Sequence, residues 1–473
     1  MEKSLLKILL DYFSNEKYFT KRYYKVYRTE PGRTSGKCFE RTFMRWLSGQ
    51  LKGRDGIRRM KEFNDPNGTA KYINKMNKVK VLNLIRNSDR ISRANIAKMT
   101  KLSAPTVSRI VESLMDVGLV DETGTGDSSG GRRPILLKFS ADNNFIIGID
   151  LGTTNIYGVL SNLEAKIIAE KSRPTLVQEG FQSVMQRTAE VIEELKGQLG
   201  DKADRIFGVG MAVAGLINRD RNIVEFSPDF HWHNVDVVGE LSRWHNMPIV
   251  FDNVTRVMAL GEYCYGIGKQ FKNFVCVNVG YGIGAGIIMN GEPLYGPKGM
   301  AGEFGHFTLE RESGVQCECG NFGCLEALAS GNALAKAARS KLQAGAKSSL
   351  EDMCGNDLGN ITAKMVADAA KQGDAVAWDV FNRSAEFLGI GIAGLINLLS
   401  PEAIVIGGGV AQSGDILFDM VRKTVNSRAL NKISREVSIL PATFGMRAAV
   451  MGAISLILDK VLNLEQTNGR EFT

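Results

Sequence analysis

The 473-residue chain is 44% hydrophobic and 23% charged, a composition with room for two to four packed domains, and no apolar run approaches the roughly 18–20 residues of a membrane-crossing helix. Its formal charge of +8 is unevenly spread: residues 1–75 hold 18 Lys and Arg against 8 Asp and Glu, residues 76–140 hold 11 against 6, and residues 141–473 hold 30 against 37. A basic front on an acidic body fits a nucleic-acid-facing end joined to a module for neutral ligands, against the plainer reading of merely solvated cations.

Residues 1–75 form a basic extension. The opening MEKSLLKILLDYF suggests a short helix, with too short an apolar core and no small-residue cleavage site for a signal peptide. Aromatic and basic residues follow, and Pro31-Gly32 and Asp65-Pro66-Asn67-Gly68 read as turns. A loosely ordered leader, or a start ahead of a true first residue at Met76, fits this stretch better than an additional nucleic-acid arm.

From Lys78 the pattern sharpens. Val79, Val81, Leu82, Leu84 and Ile85 give one helix an apolar face. Ser92 caps a second short helix, and Ser103 caps a third, Ala104 to Val117, with Pro105 in its first turn. Val107, Ile110, Val111 and Leu114 point inward in that helix, leaving Ser103, Thr106, Ser108 and Arg109 free to meet DNA. Two short helices about a tight turn, followed by a hairpin over Leu119–Phe139, predict a winged helix-turn-helix in residues 76–140. In the wing, Arg132 and Arg133 sit where a guanidinium can enter a minor groove. The bland alternative is a three-helix packing module.

At Asn144 the pattern changes to strands. Phe145–Leu151 reads as a buried strand with Asp150 at its end, beside Leu151, followed by the small-residue turn Gly152-Thr153-Thr154 and a return strand, Ile156–Ser161. Backbone N–H groups of such a turn can cradle an anion, although half of these turns are only hairpins. A helix over Glu179–Leu199 and a strand over Ile206–Val213 come next. A second glycine-rich hairpin holds Gly280, Gly282 and Gly284, and the strand Ala403–Ile406 runs into a turn at Gly408. Helical stretches are expected over Leu325–Leu342 and Ala375–Leu399.

Between them lies the densest chemistry in the chain. His306, Cys317, Cys319 and Cys324 make an imidazole-and-three-thiolate set that suits tetrahedral zinc, and Gly320 and Gly323 allow the tight curl that turns three sulfurs inward. The Cys-x-Cys spacing is shorter than the usual knuckle, so a cluster of reduced, half-buried thiols stays open on these residues alone. Thiols without a disulfide framework point to a reducing, cytoplasmic compartment.

Glu303-x-Gly-His306, about ten residues, then Cys317-x-Cys319-Gly-x-x-Gly-Cys324-x-Glu326 resembles the signature of the ROK family (repressors, open reading frames and kinases of sugars). The resemblance covers about residues 78–465, including Gly-Arg-Arg-Pro at 131–134 ahead of the sugar domain. It implies an α/β architecture: a winged helix-turn-helix followed by a two-lobed actin-like ATPase, or sugar-kinase-like, fold in residues 141–473. The small lobe would be about 141–252 plus the C-terminal helix, and the large lobe about 253–445. The family implies a structural Zn²⁺ on His306, Cys317, Cys319 and Cys324, and sugar contacts from Asn253, Glu303, His306 and Glu326. It also places Asp150, Gly152, Thr154, Gly280, Gly282, Gly284 and Gly408 on the nucleotide side.

The resemblance breaks at one point of chemistry. Family kinases carry their general base in Glu-Asn-Asp-x-Asn, whereas this chain has Asp252-Asn253-Val254-Thr255-Arg256, with Leu260-Gly261-Glu262 fixing the register. Val254 accepts no proton, and loss of a general base costs about 10²–10⁴-fold in rate. Tyr281, Thr153 and Ala214 also depart from the family pattern. The expectation is therefore the repressor branch, similar to the N-acetylglucosamine and xylose repressors, with ATP and Mg²⁺ absent from its chemistry. Its partners would be pseudo-palindromic operator DNA, a carbohydrate effector (an N-acetylated amino sugar by family analogy) and a second copy in a homodimer or homotetramer, with no membrane. The rival is an active glucokinase-like enzyme with an appended DNA module; a third reading makes the sugar lobe a mere dimerisation scaffold.

Overall fold

The computed structural model describes residues 66–126, 133–219, 221–311, 314–430, 432 and 436–463. The chain divides into compact units at residues 1–78 and 79–473. Of the basic extension only residues from Pro66 onward are described, as the start of helix α1, Pro66–Arg86. The helix therefore starts at Pro66 rather than Lys78, and Pro66-Asn67-Gly68 is its first turn. Proline at a helix start costs nothing, because the N–H it lacks has no intrahelical partner there.

The expected winged helix-turn-helix follows as β1 (Ile91–Ser92), α2 (Arg93–Thr100), α3 (Ala104–Asp116), β2 (Val120–Thr125) and β3 (Ile135–Phe139). Ser92 accepts from the Asn95 N–H at 3.2 Å and Ser103 from the Thr106 N–H at 3.3 Å, so both helix starts are satisfied by side-chain oxygens. Val107, Ile110, Val111 and Leu114 are buried against Val81, Leu82 and Ile85. The wing is a three-stranded sheet in the order β1-β3-β2; the two-residue β1 pairs with β3 and has no counterpart in the sequence reading. The wing tip, Arg132 included, lies outside the described residues, and Arg133 is exposed.

Two five-stranded sheets build the rest. The first uses β4 (Phe145–Leu151), β5 (Asn155–Asn162), β6 (Ile167–Pro174), β7 (Ile206–Val213) and β11 (Ile249–Asn253), in the order β11-β7-β4-β5-β6. Helix α4 (Phe181–Gly197) covers it, and a small sheet, β8 (Leu216–Asn218), β9 (Ile223–Ser227) and β10 (Trp232–Val235), is inserted between β7 and β11. The second sheet uses β12 (Phe274–Val279), β13 (Ile283–Met289), β14 (Glu292–Pro293), β15 (Ala403–Gly407) and β16 (Ser438–Pro441), in the order β14-β13-β12-β15-β16. In each, three antiparallel strands are extended by two parallel ones, so the same plan occurs twice.

Helices α5 (Val254–Tyr265) and α9 (Ala448–Leu462) join the two sheets. α9 lies so close to β7 that a Cβ on Gly210 would sit 1.8 Å from the Ala453 carbonyl, and a Cβ on Gly452 would sit 1.7 Å from that of Val257 in α5. Glycine is the residue that permits both approaches. The large lobe adds α6 (Leu325–Ala329), α7 (Gly331–Gln343) and α8 (Ala375–Leu399). One helix was expected over Leu325–Leu342; Ser330 breaks it, accepting from the Ala333 N–H at 3.1 Å to cap α7.

The winged helix is packed onto the body without a separating linker. Val81, Leu82 and Ile85 belong to one apolar core with Phe207 of β7 and Ile454, Ile457 and Leu458 of α9. Asn144, just ahead of β4, donates to the Gly118 carbonyl at 2.8 Å. Among the described residues no helix is long and apolar enough to cross a membrane.

Candidate functional site

The strand ends of both sheets open on a cleft of about 540 Å³. Asp150 and Gly152 line it from the end of β4, Asn253 and Val254 from the β11–α5 junction, Gly280, Gly282 and Gly284 from the β12–β13 hairpin, and Gly408 from the end of β15. Glu303, His306 and Glu326 enter from the large lobe. Thr154 does not line it; it is exposed at the outer side of its turn, with its carbonyl accepting from the Thr175 N–H.

At one end of the cleft the four ligand-type side chains converge. One ligand atom from each of His306, Cys317, Cys319 and Cys324 can be chosen so that all lie within 4.8 Å of one another. Cys319 and Cys324 sulfurs are 3.8 Å apart, and Cys317 Sγ is 3.7 Å from His306 Nδ1. A tetrahedral ion with bonds of about 2.3 Å to sulfur spaces its ligands about 3.8 Å apart, the separation of these two pairs, so the donor set fits a bound metal. The curl depends on Gly320 and Gly323, at φ +94° and +68°. Burial pushes the Cys317 and Cys324 thiols up, and a cation is what would offset that cost by taking them as thiolates.

The groups beside this cluster are braced. Asn253 caps α5: its Oδ1 accepts from the Thr255 N–H and hydroxyl at 2.9 and 2.7 Å, and its Nδ2 donates to the Gly215 carbonyl at 2.9 Å. Glu326 Oε2 accepts from the Ile283 N–H at 2.8 Å, tying the start of α6, just after Cys324, to the β12–β13 hairpin. Asp252, the nearest alternative to the missing base, is buried with Oδ1 accepting from Arg256 Nε and Nη2 at 3.0 and 2.9 Å. That ion pair leaves the carboxylate committed to structure. Glu303 differs: its carboxylate makes no hydrogen bond or ion pair among the described residues, and burial raises the carboxyl above the usual range.

One residue of the cleft has no signal in the sequence reading. Asp229 follows β9 and lines the cleft beside Glu326 and His306. Burial, reinforced by the charges of Glu326 and Glu318, pushes its carboxyl up to about 6. Only its preceding proline marks the spot in sequence, and a Ser-Pro-Asp run is ordinary loop composition.

The opposite half of the cleft is less furnished. The Asp150 carboxylate makes no hydrogen bond or ion pair among the described residues, and burial raises it to about 7. Tyr281, on the glycine hairpin where the cleft meets Asp229 and Glu326, has 52% of its surface exposed. Gly408, at φ +90°, brings its backbone against Asn278 and the Val279 carbonyl, where a Cβ would be 2.4–2.5 Å from both oxygens.

On the winged helix, Arg109 is exposed on α3, with Thr106 and Ser108 half-buried beside it. The Ser103 and Thr106 hydroxyls are 2.8 Å apart, so they satisfy one another as well as the helix start. The Arg109 guanidinium makes no ion pair or hydrogen bond among the described residues.

Comparison with known proteins converges on one group. The family model described as the ROK family matches residues 146–460, and a winged helix-turn-helix DNA-binding model matches residues 77–121. A xylose repressor of Caldicellulosiruptor bescii is 32% identical over 84% of this chain and 99% of its own. A crystal structure of a ROK family transcriptional regulator, a homologue of the E. coli MLC protein, superposes with TM-score 0.70 at 28% identity, covering 83% of this chain and 97% of that one. A ROK family glucokinase from Streptomyces griseus, in complex with glucose and AMPPNP, gives TM-score 0.61 at 28% identity over 66% of this chain and 99% of that one.

Proposed function

The chain belongs to the ROK family, and from that premise we propose that it is a sugar-responsive, DNA-binding transcriptional repressor whose cleft recognises a carbohydrate without phosphorylating it. The observation that carries this reading is a winged helix packed directly onto a sugar-kinase-like cleft in which Val254 heads α5. Phosphoryl transfer needs a group to take the hydroxyl proton, and an isopropyl side chain accepts none. Asp252, the nearest substitute, is held by Arg256.

In this reading Asn253, Glu303, His306 and Glu326 hold sugar hydroxyls, since carboxylates and amides each offer several hydrogen-bond sites to a polyol. His306, Cys317, Cys319 and Cys324 hold a structural Zn²⁺. The ion supplies no chemistry to the sugar; it fixes the loop that carries the contacts. A relative named for xylose makes an aldopentose the first effector to try, ahead of the N-acetylated amino sugar suggested by family analogy. The protein works in the cytoplasm as a homodimer or homotetramer on a pseudo-palindromic operator, because two winged helices read two half-sites.

A response requires the sugar to bind the DNA-competent and DNA-incompetent states unequally. The packing supports a route. α5 begins in the cleft at Val254 and meets α9 at Gly452, and α9 shares its core with α1 and the winged helix. Closure of the lobes on a sugar would tilt α5 and, through α9, reset the spacing of paired winged helices.

Fluorescence anisotropy of the chain on the DNA upstream of its own gene, titrated with a panel of free and phosphorylated sugars, tests the reading. Binding that one sugar reverses is expected; DNA binding with no response to any sugar defeats the sensor. A coupled ADP-release assay over the same panel guards the other side, since turnover of about 1–100 s⁻¹, typical of kinases, would make the protein an enzyme.

A further inference from the structure

The cleft has a neighbour. A second groove, of about 370 Å³, shares Asp229, Tyr281, Gly282 and Glu326 with the cleft as lining and continues past Gln316 and Glu318 to α7 and α8. Asp229 comes from the small inserted sheet, whereas Tyr281, Glu318 and Glu326 come from the large lobe, so the junction is made by both lobes. The raised carboxyl of Asp229 is consistent with that position, since the charges of Glu326 in the cleft and Glu318 in the groove both bear on it.

The groove's chemistry is selective. Its far wall presents paired charges: Glu318 with Lys336 at 3.3 Å, Glu310 with Arg383 at 3.3 Å, and Lys341 with Asp379 at 3.0 Å. Asn332 adds an amide donated to Glu318 at 3.2 Å. Five carboxylates against three cations leave no net attraction for a phosphate. Ion pairs that stay half-exposed can instead trade one solvent contact for a hydroxyl, which both donates and accepts. Tyr281 supplies an exposed aromatic ring at the junction, an apolar face with a polar tip. The volume is at the small end of ligand pockets, which run roughly 300–1,000 Å³. That suits one further ring.

We infer that the effector is a neutral oligosaccharide of at least two units: one ring in the cleft by Glu303 and Glu326, and the next crossing between Asp229 and Tyr281 into the groove bounded by Glu318, Asn332 and Lys336. This rests on the sugar-sensing reading of the cleft and extends it. A ligand spanning the junction touches both lobes, so the second ring also contributes to holding them closed.

Isothermal titration calorimetry on the full chain, with xylose, β-1,4-xylobiose and xylotriose and a matched glucose and cellobiose pair, separates the possibilities. A disaccharide is expected to bind at least ten-fold more tightly than its monosaccharide, with the third unit adding little. Asn332→Ala/Lys336→Ala, on the exposed side of the groove, should abolish that gain while leaving monosaccharide affinity, metal content and Tm unchanged. Tyr281→Ala should reduce the gain independently. Equal affinity for one and two units overturns the extended site and leaves the sensor standing. A disaccharide gain that survives both variants overturns the groove as its location. Failure of both the xylose and the glucose series to bind overturns this inference and the aldopentose effector it builds on.

Discussion

The two halves of the cleft hold their polar groups in different ways. Beside the cysteine cluster, Asn253 is fixed by Gly215 and Thr255, Glu326 by the Ile283 N–H, and His306 by its place against Cys317. On the other side the Asp150 carboxylate has no partner among the described residues, and Thr154 faces outward. Recognition and phosphoryl transfer are separable physical tasks. Recognition needs donors and acceptors held to fractions of an ångström, and the braced half supplies that. Transfer additionally needs a base and a neutralised phosphate; position 254 is a valine, and no Lys or Arg lines the cleft among the described residues. Glu303 is the exception on the braced side, its unpaired carboxylate being the acceptor left over for a ligand.

Removing the metal should break this contrast most severely, because the ion would hold the loop that carries His306 and Glu326. Cys319→Ser is expected to lose the bound ion in a colorimetric zinc-release assay and to lower Tm, with sugar affinity falling about 10–100-fold. Unchanged sugar affinity in the metal-free variant would show the loop to be self-supporting.

Next in size is Gly452→Ala, where the new Cβ would meet the Val257 carbonyl at 1.7 Å and push α5 from α9. Overpacking of this kind costs about 1–3 kcal/mol and outweighs the helix preference for alanine of about 1 kcal/mol. Gly394→Ala in α8, with nothing within 4 Å of the added atom, should by contrast stabilise slightly. Urea unfolding of the pair gives the comparison, and equal midpoints would mean that the α5–α9 crossing yields easily.

What was legible in the sequence follows the range of the forces involved. β7 and α8 run over Ile206–Val213 and Ala375–Leu399, the bounds their apolar patterns predict. The four side chains that could hold a metal fall within nineteen positions and come together through local turns, so their spacing carried the information. α1 was misread at its start because Pro-Asn-Gly is turn-like by composition and only the whole helix shows it to be a first turn. The doubled sheet plan had no sequence trace, since strand order depends on pairing between distant segments. Asp229 was missed for the same reason: the β9–β10 connection carries it to the cleft from far along the chain.

The DNA-facing end sharpens the contrast from outside the cleft. Arg109→Ala should weaken operator binding by about 1–3 kcal/mol, or roughly 5–150-fold, if its guanidinium reads a base edge. Sugar affinity in the absence of DNA should stay the same, because Arg109 lies on α3 away from the core that joins α1 to α9. A uniform loss on operator and unrelated DNA, measured by anisotropy, would make Arg109 a phosphate contact instead.

The smallest expected effect bears on the Asp150 half alone. The Asp150 carboxyl is raised to about 7 in the folded chain against about 4 when unfolded, so the folded state holds the proton more tightly. Its contribution to stability is therefore complete below pH 4 and is lost as pH rises through 7. Asp150→Asn, which carries no charge to bury, should raise Tm over the wild type at pH 8, with the gap shrinking as pH falls below 7 and closing near pH 4. Adding ATP with Mg²⁺ should change neither curve if the nucleotide side is unused. A wild-type Tm that rises with Mg²⁺-ATP at pH 8, and does not in the variant, would mean that Asp150 still meets a cation, and the asymmetry between the halves would then be one of chemistry lost at Val254 rather than of binding.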